Sequence, residues 1–104
     1  MPTPVIDPDM LRRAAAQAVS ALKVLANEDR LLLLCQLSQG EQSVGDLEEV
    51  LGIRQPTLSQ QLAVLRAEGV VDTRRDGKRI FYSVGDARLL QVLALLYTLY
   101  CPKE

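Results

Sequence analysis

Apolar residues recur along this chain with two different periods, and the change of period divides it. The positions Leu11, Ala14, Ala15, Ala18, Leu22 and Leu25 form one helical stripe, lined mostly by small side chains suited to close packing against another helix. Asp7-Pro8, an acidic cap followed by proline at the first helical position, opens that helix, which is expected to reach about Ala26. Prolines at 2, 4 and 8 mark residues 1–8 as a poorly ordered arm, leaving 9–104 as one domain. Asn27 caps a second helix, with Glu28 and Asp29 in its first turn where the helix dipole favours acid, and Gly40 closes the segment. Its run from Leu31 to Leu37 is apolar nearly all round, the pattern of a buried helix.

Ser43 and Asp46 make a capping box for a short third helix to about Leu51, which Gly52 terminates. A turn through Ile53-Arg54 leads to Gln55-Pro56, where proline fits only the first turn of a new helix, ending at Gly69. Leu58, Leu62 and Leu65 point inward from that helix, leaving Gln55, Thr57, Ser59, Gln60 and Gln61 largely outward. Two short helices joined by a glycine-containing turn form a helix-turn-helix. The period then drops to two: Val70–Arg74 and Arg79–Val84 are β-rich runs around Asp76-Gly77, the signal of a two-residue hairpin. Gly85-Asp86 caps a last helix from Ala87 to about Cys101, stopped by Pro102. One of its apolar rows is Leu89, Val92, Leu93, Leu96 and Tyr100; the other is Leu90, Ala94, Tyr97 and Cys101. One row serves the protomer's core and the other calls for a second partner, another subunit. The order α-α-α-α-β-β-α, mainly helical with a β-hairpin wing, is a winged helix-turn-helix.

At 104 residues and 48% apolar content the chain is one small domain, of a size that often gains stability by pairing with a second copy. Its net charge of -1 argues against a nucleic-acid partner until the charge is mapped. Residues 54–79 then carry a local +3, from Arg54, Arg66, Arg74, Arg75, Lys78 and Arg79 against Glu68, Asp72 and Asp76. The remainder is acidic. The amides and hydroxyls of Gln55, Thr57, Ser59 and Gln60 are the donors and acceptors that read base edges in a major groove, with Ser59 and Gln60 the first candidates. Arg74, Arg75, Lys78 and Arg79 near the hairpin tip would meet phosphates or the adjacent minor groove. Alone, either feature reads as an ordinary solvated surface; their adjacency within the basic segment points to double-stranded DNA.

The chain has no histidine, which removes Ser-His and Cys-His nucleophilic machinery and histidine-based zinc sites. No charged-then-apolar leader opens it, and no apolar run approaches the ~20 residues of a membrane helix, so a cytosolic protein without membrane association is expected. In that reducing compartment Cys35 and Cys101 are expected as free thiols.

The motifs together resemble the ArsR/SmtB family of bacterial winged-helix repressors. They are the N-x-x-R entry at Asn27–Arg30, Q-P-T-L-S-Q at 55–60, L-R-x-x-G-V-V at 65–71 and R-R-x-G-K-R-x-x-Y at 74–82. The resemblance implies a homodimer built through the first and last helices and bound to an inverted-repeat operator, in agreement with the two apolar rows. Two positions depart from the common pattern. Arg54 replaces a frequent Ser, giving up a helix cap while adding a cation at phosphate height, and Gln61 replaces a frequent His. The family's usual metal sites, Cys pairs on the third helix or His/Asp/Glu on the last, are not here: Val44–Glu49 holds no thiol, and no cofactor or metal is expected.

Cys35 alone reads as a small core hydrophobe, and Cys101 alone as an incidental thiol. As a pair, L-L-C-x-L with a terminal Y-C-P resembles the sulfide- and persulfide-responsive branch of the family. That resemblance implies two neighbouring thiols within one protomer, linked on oxidation directly or through extra sulfur, with release of DNA. The same cysteines leave open a peroxide sensor or a thiophilic-metal sensor. They also leave open a thiol oxidoreductase, although there is no C-x-x-C and Cys35 is flanked by leucines.

Overall fold

The computed structural model describes residues 7–102. Five helices and three strands follow in the order α1 (Pro8–Leu25), α2 (Glu28–Leu37), β1 (Gln42–Ser43), α3 (Val44–Leu51), α4 (Thr57–Ala67), β2 (Val71–Asp76), β3 (Arg79–Val84) and α5 (Ala87–Tyr100). The winged helix-turn-helix read from the sequence is this fold, with one addition: the two-residue β1, which pairs antiparallel with β3 in a sheet ordered β1-β3-β2. Residues 1–6 of the expected arm lie outside the described residues; Pro8 is already the first residue of α1, and Asp7 caps it.

The local signals operate as their chemistry requires. Asn27 Oδ1 accepts from Arg30 N at 3.0 Å, and Asp86 Oδ1 from Arg88 N at 2.9 Å. Ser43 and Asp46 form a reciprocal capping box, and Gly52 ends α3 at φ 68°, a left-handed conformation favoured by glycine. The core gathers Leu33, Leu34, Leu37, Leu47, Leu58, Leu62, Leu65, Tyr82, Leu89 and Leu93. Leu58, Leu62 and Leu65 thus fix α4 by its inner face, as their spacing predicts.

Three expectations are corrected. The second helix is not buried all round: Leu33, Leu34 and Leu37 are interior, Cys35 is half-buried and Leu32 is 40% exposed. The hairpin turn is Gly77-Lys78, not Asp76-Gly77, because Asp76 pairs with Arg79. The expected turn would have set Arg75 opposite Lys78 and Arg74 opposite Arg79; the observed register replaces these like-charge pairs with Asp76 opposite Arg79 and Arg74 opposite Phe81. Gly77 carries the positive φ, 62°, that this turn demands. Finally, the first apolar row of α5 is split: Leu89 and Leu93 are buried, whereas Val92 and Tyr100 are exposed with Leu95, Tyr97 and Leu99.

The stripe on α1 is likewise uncovered. Only Val24 and Leu25, at its C-terminal end, are buried, while Met10, Leu11, Val19 and Leu22 are exposed. Among the described residues no helix is long and apolar enough to cross a membrane.

Candidate nucleic-acid interface and thiol pair

The outer side of α4 presents Ser59 and Gln60 to solvent, with Arg54 and Gln55 exposed just before the helix and Thr57 half-buried. Pro56 occupies the cap position and offers no side-chain acceptor. Gln55 compensates, its Oε1 accepting from Ser59 N at 3.0 Å, so one of the expected base readers also secures the start of the helix. Gln61 turns the other way. It is half-buried, and its Oε1 accepts from Arg30 Nη1 at 3.1 Å.

The four wing cations divide into two pairs. Arg74 grips Glu41 through two of its guanidinium nitrogens, with Nε 3.0 Å from Oε2 and Nη2 2.6 Å from Oε1. Arg79 donates to Ser43 Oγ at 2.9 Å and lies 3.5 Å from the Asp46 carboxylate. Both guanidiniums also lie over the Phe81 ring, at 4.7 and 5.0 Å from its centre. The bond from Arg74 holds the Glu41 carboxyl below its ordinary range, and bonds from Ser43, with the Arg79 charge behind them, do the same for Asp46. Arg74 and Arg79 therefore tie the wing to β1 and the start of α3. Arg75 and Lys78 are exposed and, among the described residues, form no ion pair, so of the four wing cations these two carry charge not committed to a carboxylate. Glu41, Asp46 and Phe81 escaped the sequence reading as site residues. The Ser43–Asp46 capping box was visible, but the arginine it holds lies 33 positions beyond Asp46.

The thiols lie at α2 and the end of α5. Cys35 lines a groove of about 500 Å³ between these helices, together with Ser38, Leu93, Tyr97 and Thr98. Cys101 caps α5, its N–H bonded to Tyr97 O at 3.0 Å, and is exposed. Burial pushes the Cys35 thiol above its ordinary pKa, and the neighbouring Cys101 adds to the rise. Two cysteines far apart in the sequence thus lie at the same α2–α5 end of the fold, near enough for the charge of one to bear on the other. Among the described residues no three potential metal-ligating His, Cys, Asp or Glu side chains gather.

Residues 27–73 match the family described as bacterial regulatory protein, arsR family. Over 97 residues the chain is 52% identical to the Biofilm growth-associated repressor of Agrobacterium fabrum, covering 93% of this chain and 82% of that protein. The chain belongs to the ArsR family. The crystal structure of the transcriptional repressor BigR from Xylella fastidiosa superposes on this ArsR-family fold with a TM-score of 0.86 at 45% identity, covering 94% of this chain and all of that one. Reduced HlyU from Vibrio cholerae gives a TM-score of 0.85 at 41% identity, covering 89% of this chain and 98% of that one. The family expected from the motifs is the one found.

Proposed function

We propose that this ArsR-family regulator is a cytosolic homodimeric repressor that holds an inverted-repeat operator while Cys35 and Cys101 are reduced. A reactive sulfur species that links the two thiols releases the DNA. The observation that carries this reading is the placement of both thiols where α2 meets α5, Cys35 half-buried in the groove between those helices and Cys101 exposed at the end of α5. The outer residues of α4 and the free cations Arg75 and Lys78 form the DNA-facing side, with Ser59 and Gln60 toward base edges. The uncovered apolar faces of α1 and α5 support pairing with a second copy. The names of two relatives lend further support: one is a biofilm growth-associated repressor, and another has been solved in a form called reduced.

The chemistry balances with an organic hydropersulfide, RSSH, as oxidant. The exposed Cys101 thiolate attacks the outer sulfur, expelling RSH and leaving Cys101 as a persulfide. Cys35 then attacks the inner sulfur of that persulfide, and hydrogen sulfide departs. Two protein thiols have lost two electrons and two protons, and RSSH has become RSH and hydrogen sulfide. If Cys35 has also taken up a sulfur atom, the same step joins two persulfides as a trisulfide and again releases hydrogen sulfide. Linking α2 to the end of α5 shifts the helix that bears on both reading heads, which must meet half-sites about one helical turn, ~34–36 Å, apart.

Intact-mass spectra of the reduced protein after exposure to an organic persulfide, peroxide or a thiophilic metal test this sensor assignment. A di- or trisulfide spanning Cys35 and Cys101, formed with persulfide and lost in Cys35→Ser and Cys101→Ser, is expected. Thiols that stay free with persulfide, yet retain a metal or react only with peroxide, would overturn it.

A further inference from the structure

Arg30 is half-buried in the first turn of α2 and bonds three groups in two other helices. Its Nε donates to Val24 O at 2.8 Å and its Nη2 to Lys23 O at 3.0 Å, two of the last carbonyls of α1, of which Lys23 O also accepts the Ala26 N–H at 3.4 Å. Its Nη1 donates to Gln61 Oε1 at 3.1 Å on α4. The planar fork reaches all three acceptors at once, which a lysine ammonium on a flexible stem does not reproduce. We infer that the Arg30–Gln61 joint is a positioning device that sets the spacing of the two reading helices in the dimer, and that Gln61 is a positioning residue rather than a base reader.

The leverage follows from the way α1 is attached. Val24 and Leu25 are its only buried residues, so the body grips α1 mainly at its C-terminal end, where Arg30 bonds it; farther along, one exposed bond from Arg88 Nη1 to Gln17 Oε1 at 3.3 Å reaches it from α5. The exposed stripe of Leu11, Val19 and Leu22 runs away from that grip as the face offered to the second copy. Its 18 residues make a rod. At 1.5 Å per residue the rod is about 27 Å long, so a tilt of about 5° at the joint moves its far end by about 2 Å. That is more than half of the ~3.4 Å between successive base pairs, enough to alter which half-site spacing the dimer fits. The joint also explains why Gln61 is half-buried while Ser59 and Gln60 on the same helix are exposed.

This inference rests on the dimeric DNA-binding reading, and the experiment separates the two. The full-length protein is used to select duplexes from a randomised inverted-repeat library. Binding is then measured on the selected duplex and on versions with one base pair inserted or deleted between half-sites. Gln61→Met keeps the side-chain size and removes the acceptor; Arg30→Gln removes the fork. Gln61→Met should bind the selected spacing about five- to tenfold more weakly, the scale of one net hydrogen bond, and its discrimination between spacings should shrink. Its melting temperature should stay close to that of the unsubstituted protein, and the double variant should be no weaker than Arg30→Gln alone, as expected for two residues acting through one contact. A Gln61→Met protein with unchanged spacing preference, or with altered base preference at one position, would overturn the inference. If the unsubstituted protein selects no duplex, the DNA-binding reading fails and the inference falls with it.

Discussion

Replacing Lys78 with alanine should weaken operator binding on every sequence and make it less sensitive to salt. Lys78 is the second residue of the Gly77-Lys78 turn, exposed and without an ion-pair partner among the described residues, so its charge is free for a phosphate. A phosphate contact contributes about 0.9 to the slope of log affinity against log salt, and a dimer carries two wings, so the slope should fall in magnitude by about 1.8. Between about 50 and 200 mM salt, a fourfold change, that amounts to about twelvefold less loss of affinity. Arg74 is the internal control. It carries the same charge on the same hairpin, but its guanidinium is committed to Glu41 and stacked on Phe81, so Arg74→Ala should leave the slope near its original value. Fluorescence-anisotropy titrations of a labelled duplex at several salt concentrations give both slopes. An unchanged slope for Lys78→Ala, or an equal change for both variants, would refute the division of the wing cations.

Two further outcomes follow from the titrating groups. Because burial raises the pKa of Cys35, its alkylation, followed by peptide mass mapping, should accelerate at more alkaline pH than for a free cysteine; Cys101→Ser should move that rise toward lower pH by removing a neighbouring negative charge. Asp46 has a lowered pKa, so the stability it contributes is present above the ordinary carboxylate pKa and is lost as pH falls through the lowered value; Asp46→Asn should remove that share of the acid-side fall in melting temperature.

What could be read along the chain was what neighbouring residues decide among themselves. The Asp7-Pro8 start, the Ser43–Asp46 capping box and the Leu58, Leu62 and Leu65 face each depend on residues within two turns of one another, and each stands where its spacing put it. The pairings that shape the site span much longer intervals. Arg30 and Gln61 are 31 positions apart, and Arg74 and Glu41 are 33 apart, so no local pattern joins them. A still longer interval hid the β1–β3 pairing of Gln42 with Tyr82. The hairpin turn was misplaced by one residue because Asp-Gly is a strong local signal, while cross-strand charge decided the register. Of the five outward positions expected on the reading helix, Ser59 and Gln60 are exposed, and Gln55 is exposed while also securing the helix start; Thr57 and Gln61 are half-buried, Gln61 through a bond to an arginine on another helix.

Joining Cys35 to Cys101 should switch off DNA binding, and affinity for the selected duplex before and after treatment with an organic persulfide measures that switch. The unsubstituted protein should bind when reduced, lose that binding when Cys35 and Cys101 are joined, and regain it on reduction with a dithiol, while Cys35→Ser and Cys101→Ser bind throughout. Release of DNA from either single-cysteine variant after the same treatment, or full binding by the linked protein, would show that the thiol link is not the switch.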